Sequence, residues 1–276
     1  MILNQENISS KNSDFWNELC GSQLAKSLGI MDSSKESLEK FDDWYFDFYP
    51  YLFEHIPFEQ LKKRDVLEIG LGYGTVSQRL AEVGAIYTGL DIAEGPVSMV
   101  NHRLAQSGLQ GRAIQGSILD PEFAPESFDS IVAIGCLHHT GNLKQAIDEC
   151  WKLLRPGGTL IFMVYYAYSY RRFRMAPVTS FRNLVKELMG YRGVVGSSAD
   201  RERAAYDAGS DGVAAPHTDW ISVRSLHDIC GKFSGFSAKI ENIDQEPPFQ
   251  LTPRKKLLET RWPKLIGLDL YATATK

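Results

Sequence analysis

Between Asp65 and Tyr166 the apolar positions of this chain follow two alternating rhythms. Short apolar runs of strand length alternate with stretches in which apolar residues recur every three or four positions, the spacing of one helix face. Asp65-Val-Leu-Glu-Ile-Gly70 reads as a first strand, Ala85 to Asp91 as a second and Arg112 to Gly116 as a weak third. Phe128 to Gly135 reads as a fourth strand and Thr159 to Tyr166 as a fifth. Between them, Thr75 to Val83 places Val76, Leu80 and Val83 on one helical face. Pro96 to Ser107 reads as a helix with its proline tolerated in the first turn. Leu143 to Leu154 turns Ala146, Ile147, Cys150 and Leu153 inward and ends at Arg155-Pro-Gly-Gly158. Strands joined by helices predict a parallel sheet with helices on both faces.

The rhythm breaks after Tyr166. Ala167 to Trp220 is basic, then rich in Gly, Ser, Ala and Asp, and has no strand pattern. A stretch that long inside a compact domain is expected to be a lid, a binding element or disordered. Phe181 to Met189 within it has the spacing of an amphipathic helix. The rhythm returns at Ser222 to Cys230 as a helix, and at Phe236 to Ile243 and Ile266 to Ala274 as an antiparallel strand pair at the sheet edge. Ahead of the sheet, Asp14 to Lys62 is aromatic-rich, with Phe41, Trp44, Tyr45, Phe48, Tyr49, Tyr51 and Leu52 at helical spacings. Two readings stay open there. The aromatic stripe is the core of a helical cap, or Phe15, Trp16, Trp44 or Tyr45 also closes over a ligand above the strand ends. The expected division is a helical cap over residues 1–62 and an α/β domain over 63–276, with 167–220 an acceptor-binding lid.

Composition narrows the class. With 276 residues, 43% hydrophobic and 23% charged, the chain has the make-up of an ordinary globular protein and enough core to enclose a small ligand. A net charge of −4 gives no support for a nucleic-acid partner. No window has the apolar length of a membrane span, and the polar opening Met1 to Asp14 has no basic segment before an apolar run. The chain is therefore expected to be cytoplasmic. Cys20, Cys136, Cys150 and Cys230 form no CxxC pair. They read as reduced and mostly buried, and no metal cluster is expected.

The chemistry concentrates in Val66-Leu-Glu-Ile-Gly-Leu-Gly-Tyr-Gly-Thr75, a strand running through a glycine turn into a helix. Glycines let backbone approach a ligand closely. Dinucleotide enzymes share such turns, but here the spacing is G-x-G-x-G, and Glu68 precedes it. A carboxylate would repel a pyrophosphate and suit a cationic amino-acid ligand. Asp91, ending the next strand, is placed to accept both hydroxyls of a ribose; as an alternative it caps the following helix.

With these residues in view, the chain resembles the class I S-adenosylmethionine-dependent methyltransferases, in particular the methyltransferase type 11 group and its ubiquinone/menaquinone-methylase-like relatives. Glu68 to Gly74 looks like that family's first motif, Leu90-Asp91 its second and Gly116-Ser-Ile118 its third. Phe128 to His139 looks like the fourth, and Leu154-Arg-Pro-Gly-Gly-Thr-Leu160 the turn into strand five. The resemblance implies a Rossmann-like, mostly parallel seven-stranded sheet in the order 3-2-1-4-5-7-6, with S-adenosylmethionine over its C-terminal edge. Ser117 departs from the pattern, since many relatives carry an acid there. The residues are then expected to divide as follows. Gly70, Gly72 and Gly74 admit the methionine part, Asp91 holds the ribose, and Ile92, Ser117 and Ile118 flank the adenine. Gly135, Cys136 and Leu137 lie beneath the sulfonium.

Methyl transfer requires orientation, exclusion of water and, for a hydroxyl or ammonium, a proton acceptor. The candidates are His217, helped by Asp219, and His139; His138 reads as architectural. Tyr165, Tyr166, Arg171 and Arg172 are expected to contact the acceptor. In the cluster Tyr168 to Arg174 the arginines read either as a solvated face or as forks for an anionic, carboxylate-bearing acceptor. The expected activity is methyl transfer to oxygen or nitrogen of a small molecule. A nicotinamide-dependent oxidoreductase and a non-catalytic nucleoside-binding module are the alternatives.

Overall fold

A computed structural model describes residues 5–18, 22–196 and 199–276; Cys20 lies outside them. The central strands are β1 (Asp65–Ile69), β2 (Ile86–Asp91), β3 (Arg112–Gln115), β4 (Phe128–Ile134) and β5 (Leu154–Tyr166). All four pairings among them are parallel. Their apolar runs are near-continuous because both faces of a parallel sheet are covered. On one face, Leu67, Ile131 and Phe162 pack with Ala146, Ile147 and Cys150 of α7 (Leu143–Leu153). On the other, Val66 and Val132 pack with Val76 and Leu80 of α5 (Thr75–Glu82) and with Val100 and Leu104 of α6 (Glu94–Ser107).

Beyond β5 the chain forms α8 (Tyr170–Met175), α9 (Pro177–Leu188), β6 (Val195–Gly196), α10 (Asp200–Ala204) and β7 (Asp219–Ile221). It then forms α11 (Val223–Ile229), β8 (Gly235–Glu241), α12 (Arg254–Leu258), α13 (Trp262–Ile266) and β9 (Asp269–Thr275). β9 runs antiparallel to β5 along its length, and β8 pairs outside it. With the two short strands β6 and β7 set aside, the order is β3-β2-β1-β4-β5-β9-β8. This is the Rossmann-like 3-2-1-4-5-7-6 order that the motifs implied.

β7 was not legible as a strand. β4 leaves β5 after the pair Ile134–Met163, and β7 then pairs parallel with Tyr165 and Tyr166. Tyr165 also pairs with Asp269 of β9, so β7 takes the edge of β5 that β4 has vacated. The segment after strand five is thus built into the sheet at its far end. The amphipathic helix expected near Phe181 forms as α9, but it turns Val178, Phe181, Leu188 and Met189 outward.

The N-terminal part holds α1 (Gln5–Trp16), α2 (Ser22–Ser27), α3 (Lys35–Phe48), α4 (Leu52–His55) and a 3-10 turn, Phe58–Leu61. α1 starts well before the aromatic-rich stretch. Beside the buried Ile8 it docks through polar groups, which hydrophobic periodicity cannot register. The Asn12 amide donates to the His139 carbonyl at 2.7 Å, Ser13 to the Ile92 carbonyl at 3.1 Å and Gln5 to the Thr140 carbonyl at 2.7 Å. α3 is tied down by Asp42, whose carboxylate accepts both Arg103 guanidinium nitrogens at 2.8 and 3.0 Å and the Thr75 hydroxyl at 2.6 Å. Cys150 and Cys230 are buried and Cys136 half-buried, all as free thiols.

Candidate active site

A cavity of about 550 Å³ opens over the C-terminal ends of β1, β2, β3 and β4. Its floor is the turn after β1. Gly70 has φ +76°, and a Cβ there would stand 2.4 Å from Cys136 Cβ, so only glycine lets β1 and β4 end this close together. Cys136 donates its thiol to the Ile69 carbonyl at 3.0 Å, and burial holds the thiol well above its ordinary pKa. It is a packing group here, not a nucleophile. Gly72 also lines the cavity. Gly74 does not: with φ +81° it leaves room for the Arg103 side chain, which a Cβ would meet at 2.8 Å. The expectation that Gly74 admits a cofactor is corrected. Its missing side chain lets Arg103 reach Asp42.

Two buried acids flank the turn. Glu68 accepts hydrogen bonds from Ser77 at 2.5 Å and Tyr87 at 2.7 Å. Burial outweighs these bonds and lifts its carboxyl to about 7. Asp91 accepts from the Leu71 amide at 2.7 Å and the Ala93 amide at 2.9 Å; burial raises its pKa against these bonds. Each carboxylate oxygen thus has one amide donor, and a second lone pair on each can still accept a hydroxyl. Asp91 faces the cavity, and its bond from the Ala93 amide fixes the turn ahead of α6, whose N-cap is Ala93 and not Asp91. Ile92, Ser117 and Ile118 stand beside it, and Gly135, Cys136 and Leu137 follow at the end of β4.

At the other end of the cavity His139, Tyr165 and Asp207 meet. The Tyr165 hydroxyl donates to both Asp207 oxygens, at 2.9 and 3.0 Å. His139 Nε2 stands 3.4 Å from Asp207 Oδ2, and His139 Nδ1 donates to the His217 carbonyl at 2.7 Å. His138 is fully buried, and burial, with His139 and His217 nearby, holds it well below its ordinary pKa. Among the described residues the metal-ligating side-chain types gather at His138, His139 and Asp207, with donor atoms within 4.8 Å of one another.

Several expected contacts fall elsewhere. His217 does not line the cavity. It turns Nε2 to Asp219, 3.1 Å away, and only its carbonyl reaches the site. Asp219 is buried in β7. Tyr166 points away from the cavity and packs on Tyr168. Arg172 lies buried over the Trp220 ring at 4.3 Å, paired with Glu202. Arg171 does line the cavity, but its guanidinium is taken by Asp244 at 2.8 Å, by Glu246 and by the Ala205 carbonyl. Among the described residues that line the cavity, no arginine fork is left unpaired to face an anion. Against Arg171 stand five lining carboxyl groups: Glu68, Asp91, Asp207, Asp244 and Asp269. Burial lifts Asp269 to about 7, against a hydrogen bond from Asn242. Sequence reasoning missed Asn12, Tyr206, Asp207 and Asp269. Of the aromatic residues named in the second reading, Trp16, Trp44 and Tyr45 line the cavity and Phe15 does not.

The strand order and the glycine turn between two buried acids define the architecture of a class I S-adenosylmethionine-dependent methyltransferase domain. Residues 67–162 match a family model described as a methyltransferase domain. A curated relative, "Ubiquinone biosynthesis O-methyltransferase" from Stutzerimonas stutzeri, is 36% identical over 111 residues, 40% of this chain and 46% of the relative. The protein of the same name from Pseudomonas entomophila is 32% identical over 104 residues, 37% of this chain and 44% of that one. The match thus spans less than half the length of these relatives. Among solved structures, a putative S-adenosylmethionine-dependent methyltransferase from Listeria monocytogenes superposes with a TM-score of 0.57 at 17% identity. That superposition covers 83% of this chain and 97% of the other. One from Mesorhizobium loti gives 0.52 at 17% identity over 83% and 97%. These likenesses show the fold. Among the described residues no helix is long and apolar enough to cross a membrane.

Proposed function

We propose that this chain transfers the methyl group of S-adenosylmethionine to an oxygen or nitrogen of a small-molecule acceptor. The observation that carries the reading is the continuous lining from Glu68 through Gly70, Gly72 and Asp91 to Ser117 and Ile118. It sets a carboxylate where a cationic amino-acid portion would lie and a second where a ribose would lie. Ile92 and Ile118 offer apolar faces to the adenine, and Gly135, Cys136 and Leu137 support the sulfonium. The relatives' name, O-methyltransferase, favours oxygen as the methyl acceptor.

The acceptor then lies among Trp16, Tyr165, Tyr206 and Asp207. His139 and Asp207 take the place of His217 and Asp219 as the groups that receive its proton. Residues of the segment 167–220, namely Arg171, Tyr206 and Asp207, form one wall. We therefore keep that segment as the acceptor-binding element and residues 1–62 as a cap. At the acceptor end the Asp207 carboxylate, with the guanidinium of Arg171 already paired to Asp244 and Glu246, favours a neutral or cationic acceptor over an anionic one. Aromatic walls add attraction for a cation.

Calorimetry with S-adenosylhomocysteine and with NADH tests the reading directly. Binding of the first and not the second is expected. Asp91→Ala removes charge-assisted acceptors worth roughly 1.5–3 kcal/mol each, so affinity for S-adenosylhomocysteine falls at least tenfold in a correctly folded variant. Unchanged affinity in Asp91→Ala removes the ribose assignment. Binding of NADH alone favours the oxidoreductase. A mass-spectrometric search for a metabolite gaining a methyl group identifies the acceptor.

A further inference from the structure

We propose that His138, His139 and Asp207 form a binding site for a divalent transition-metal ion at the acceptor end of the cavity. The adjacent histidines sit on the 3-10 turn Leu137–His139 after β4, and Asp207 arrives from the segment after α10. Their donor atoms lie within 4.8 Å of one another.

Three features of the side chains point to a ligand. First, His138 is wholly buried between the rings of His139 and Tyr165, with centroids 4.1 and 4.2 Å away, and neither of its ring nitrogens has a hydrogen-bond partner. An imidazole N–H or lone pair left unmatched in the interior is costly and calls for a partner. Second, His139 is fixed in one tautomer. A carbonyl can only accept, so Nδ1 carries a proton toward His217, and the lone pair of the neutral imidazole is then the one on Nε2. That Nε2 is buried, has no hydrogen-bond partner and faces Asp207 Oδ2 at 3.4 Å. A ring N–H on a backbone carbonyl with the other nitrogen open is how metal-ligating histidines are held. Third, the Asp207 carboxylate is itself held, by the Tyr165 hydroxyl, as ligating carboxylates are.

The His139–Asp207 separation of 3.4 Å already matches the ~3.3 Å ligand–ligand edge of a tetrahedral site with ~2.0 Å bonds. Closing an edge to His138 from as much as 4.8 Å takes about 1.5 Å of side-chain movement to reach that length. Two imidazoles and one carboxylate select zinc, cobalt, nickel or ferrous iron over magnesium and calcium. His139 and Asp207 line the cavity, so the open coordination position faces the acceptor, and a bound ion would replace these two side chains as the group that assists its deprotonation. The sequence expected no metal because Asp207 is remote from the histidine pair and lies in no spaced ligand motif.

The test is direct and independent of methyl transfer. The full chain is stripped with chelator, dialysed against zinc or cobalt(II), and its metal content measured. One ion per chain is expected, with visible cobalt absorption of a four- or five-coordinate site. Asp207→Asn and His138→Gln each lower the affinity more than tenfold while S-adenosylhomocysteine affinity is kept. His139→Gln serves where His138→Gln does not fold. Binding no tighter than millimolar for both ions, or an affinity that all soluble variants leave unchanged, overturns the proposal. The methyl-transfer reading would survive either result.

Discussion

Glu68 carries a proton that an unfolded glutamate would have given up. In the unfolded chain its carboxyl titrates near 4.5, and in the fold near 7. Between those values the folded state binds more protons, so stability falls as pH rises through the window. The groups around the carboxyl are Ser77, Tyr87, Asp91 and Arg103; burial outweighs their sum. Full ionisation above pH 7 costs the fold roughly 3 kcal/mol. Glu68→Gln keeps an acceptor for Ser77 and Tyr87 and has no charge to bury. Melting of the variant should therefore rise relative to the parent as pH goes from 5 to 8. Parallel melting curves across that range would show that the carboxyl is not held protonated. At this scale the sequence was most readable along the floor of the cavity. Glu68, Gly70 and Gly72 belong to one strand–turn–helix unit, and Asp91 ends the strand paired beside it. Gly74 misled because the same missing side chain serves packing against Arg103, a partner that no local pattern reveals.

Apart from α9, the segment after β5 has no strand or helix periodicity because its elements are short and are held by tertiary contacts. Trp220 is the centre of that packing. Its ring is fully buried, with Arg172 above it at 4.3 Å and Tyr206 against its edge at 5.4 Å. Tyr206 and Asp207 reach the cavity from the same packing. Trp220→Ala should cost about 3–5 kcal/mol by leaving a cavity in the interior, read as a shifted denaturant midpoint. It should also weaken acceptor use, seen in kcat/KM, far more than S-adenosylhomocysteine affinity, because the floor is built from other strands. Equal loss of both would show that the two ends of the cavity are one unit. The five parallel strands and their helices were legible because each buries an apolar face at its own period. β7 escaped notice as a strand of only three residues, Asp219–Ile221. Asp207 escaped because its role depends on two distant elements meeting at Tyr165.

In the whole molecule, α1 closes the cavity from outside the sheet. Trp16 stands 4.9 Å from the His139 ring, and Asn12 holds the His139 carbonyl. Asn12→Ala removes a buried donor and strands that carbonyl, a loss of about 1–3 kcal/mol. Faster dissociation of S-adenosylhomocysteine is the expected result, by roughly fivefold or more, measured by stopped-flow displacement. An unchanged rate would mean that α1 does not hold the ligand in. The same aromatic residues that read as core from sequence, Trp44 and Tyr45, serve as this outer wall as well, which is why periodicity left two readings open.

The two walls of the cavity are attached in different ways. β7 is stitched to β5 by backbone pairing at Tyr165 and Tyr166, so shifting it means tearing a ladder that runs into the central sheet. α1 is held to the body by the side chains of Gln5, Asn12 and Ser13 and by the buried Ile8 against Gly141. Elements with few buried contacts open at a small fraction of the global unfolding free energy. The molecule is thus built with a fixed jamb and a side-chain latch. Under the proposed function, spent cofactor and methylated product would leave past α1, and the residence time of the slower one would follow that latch.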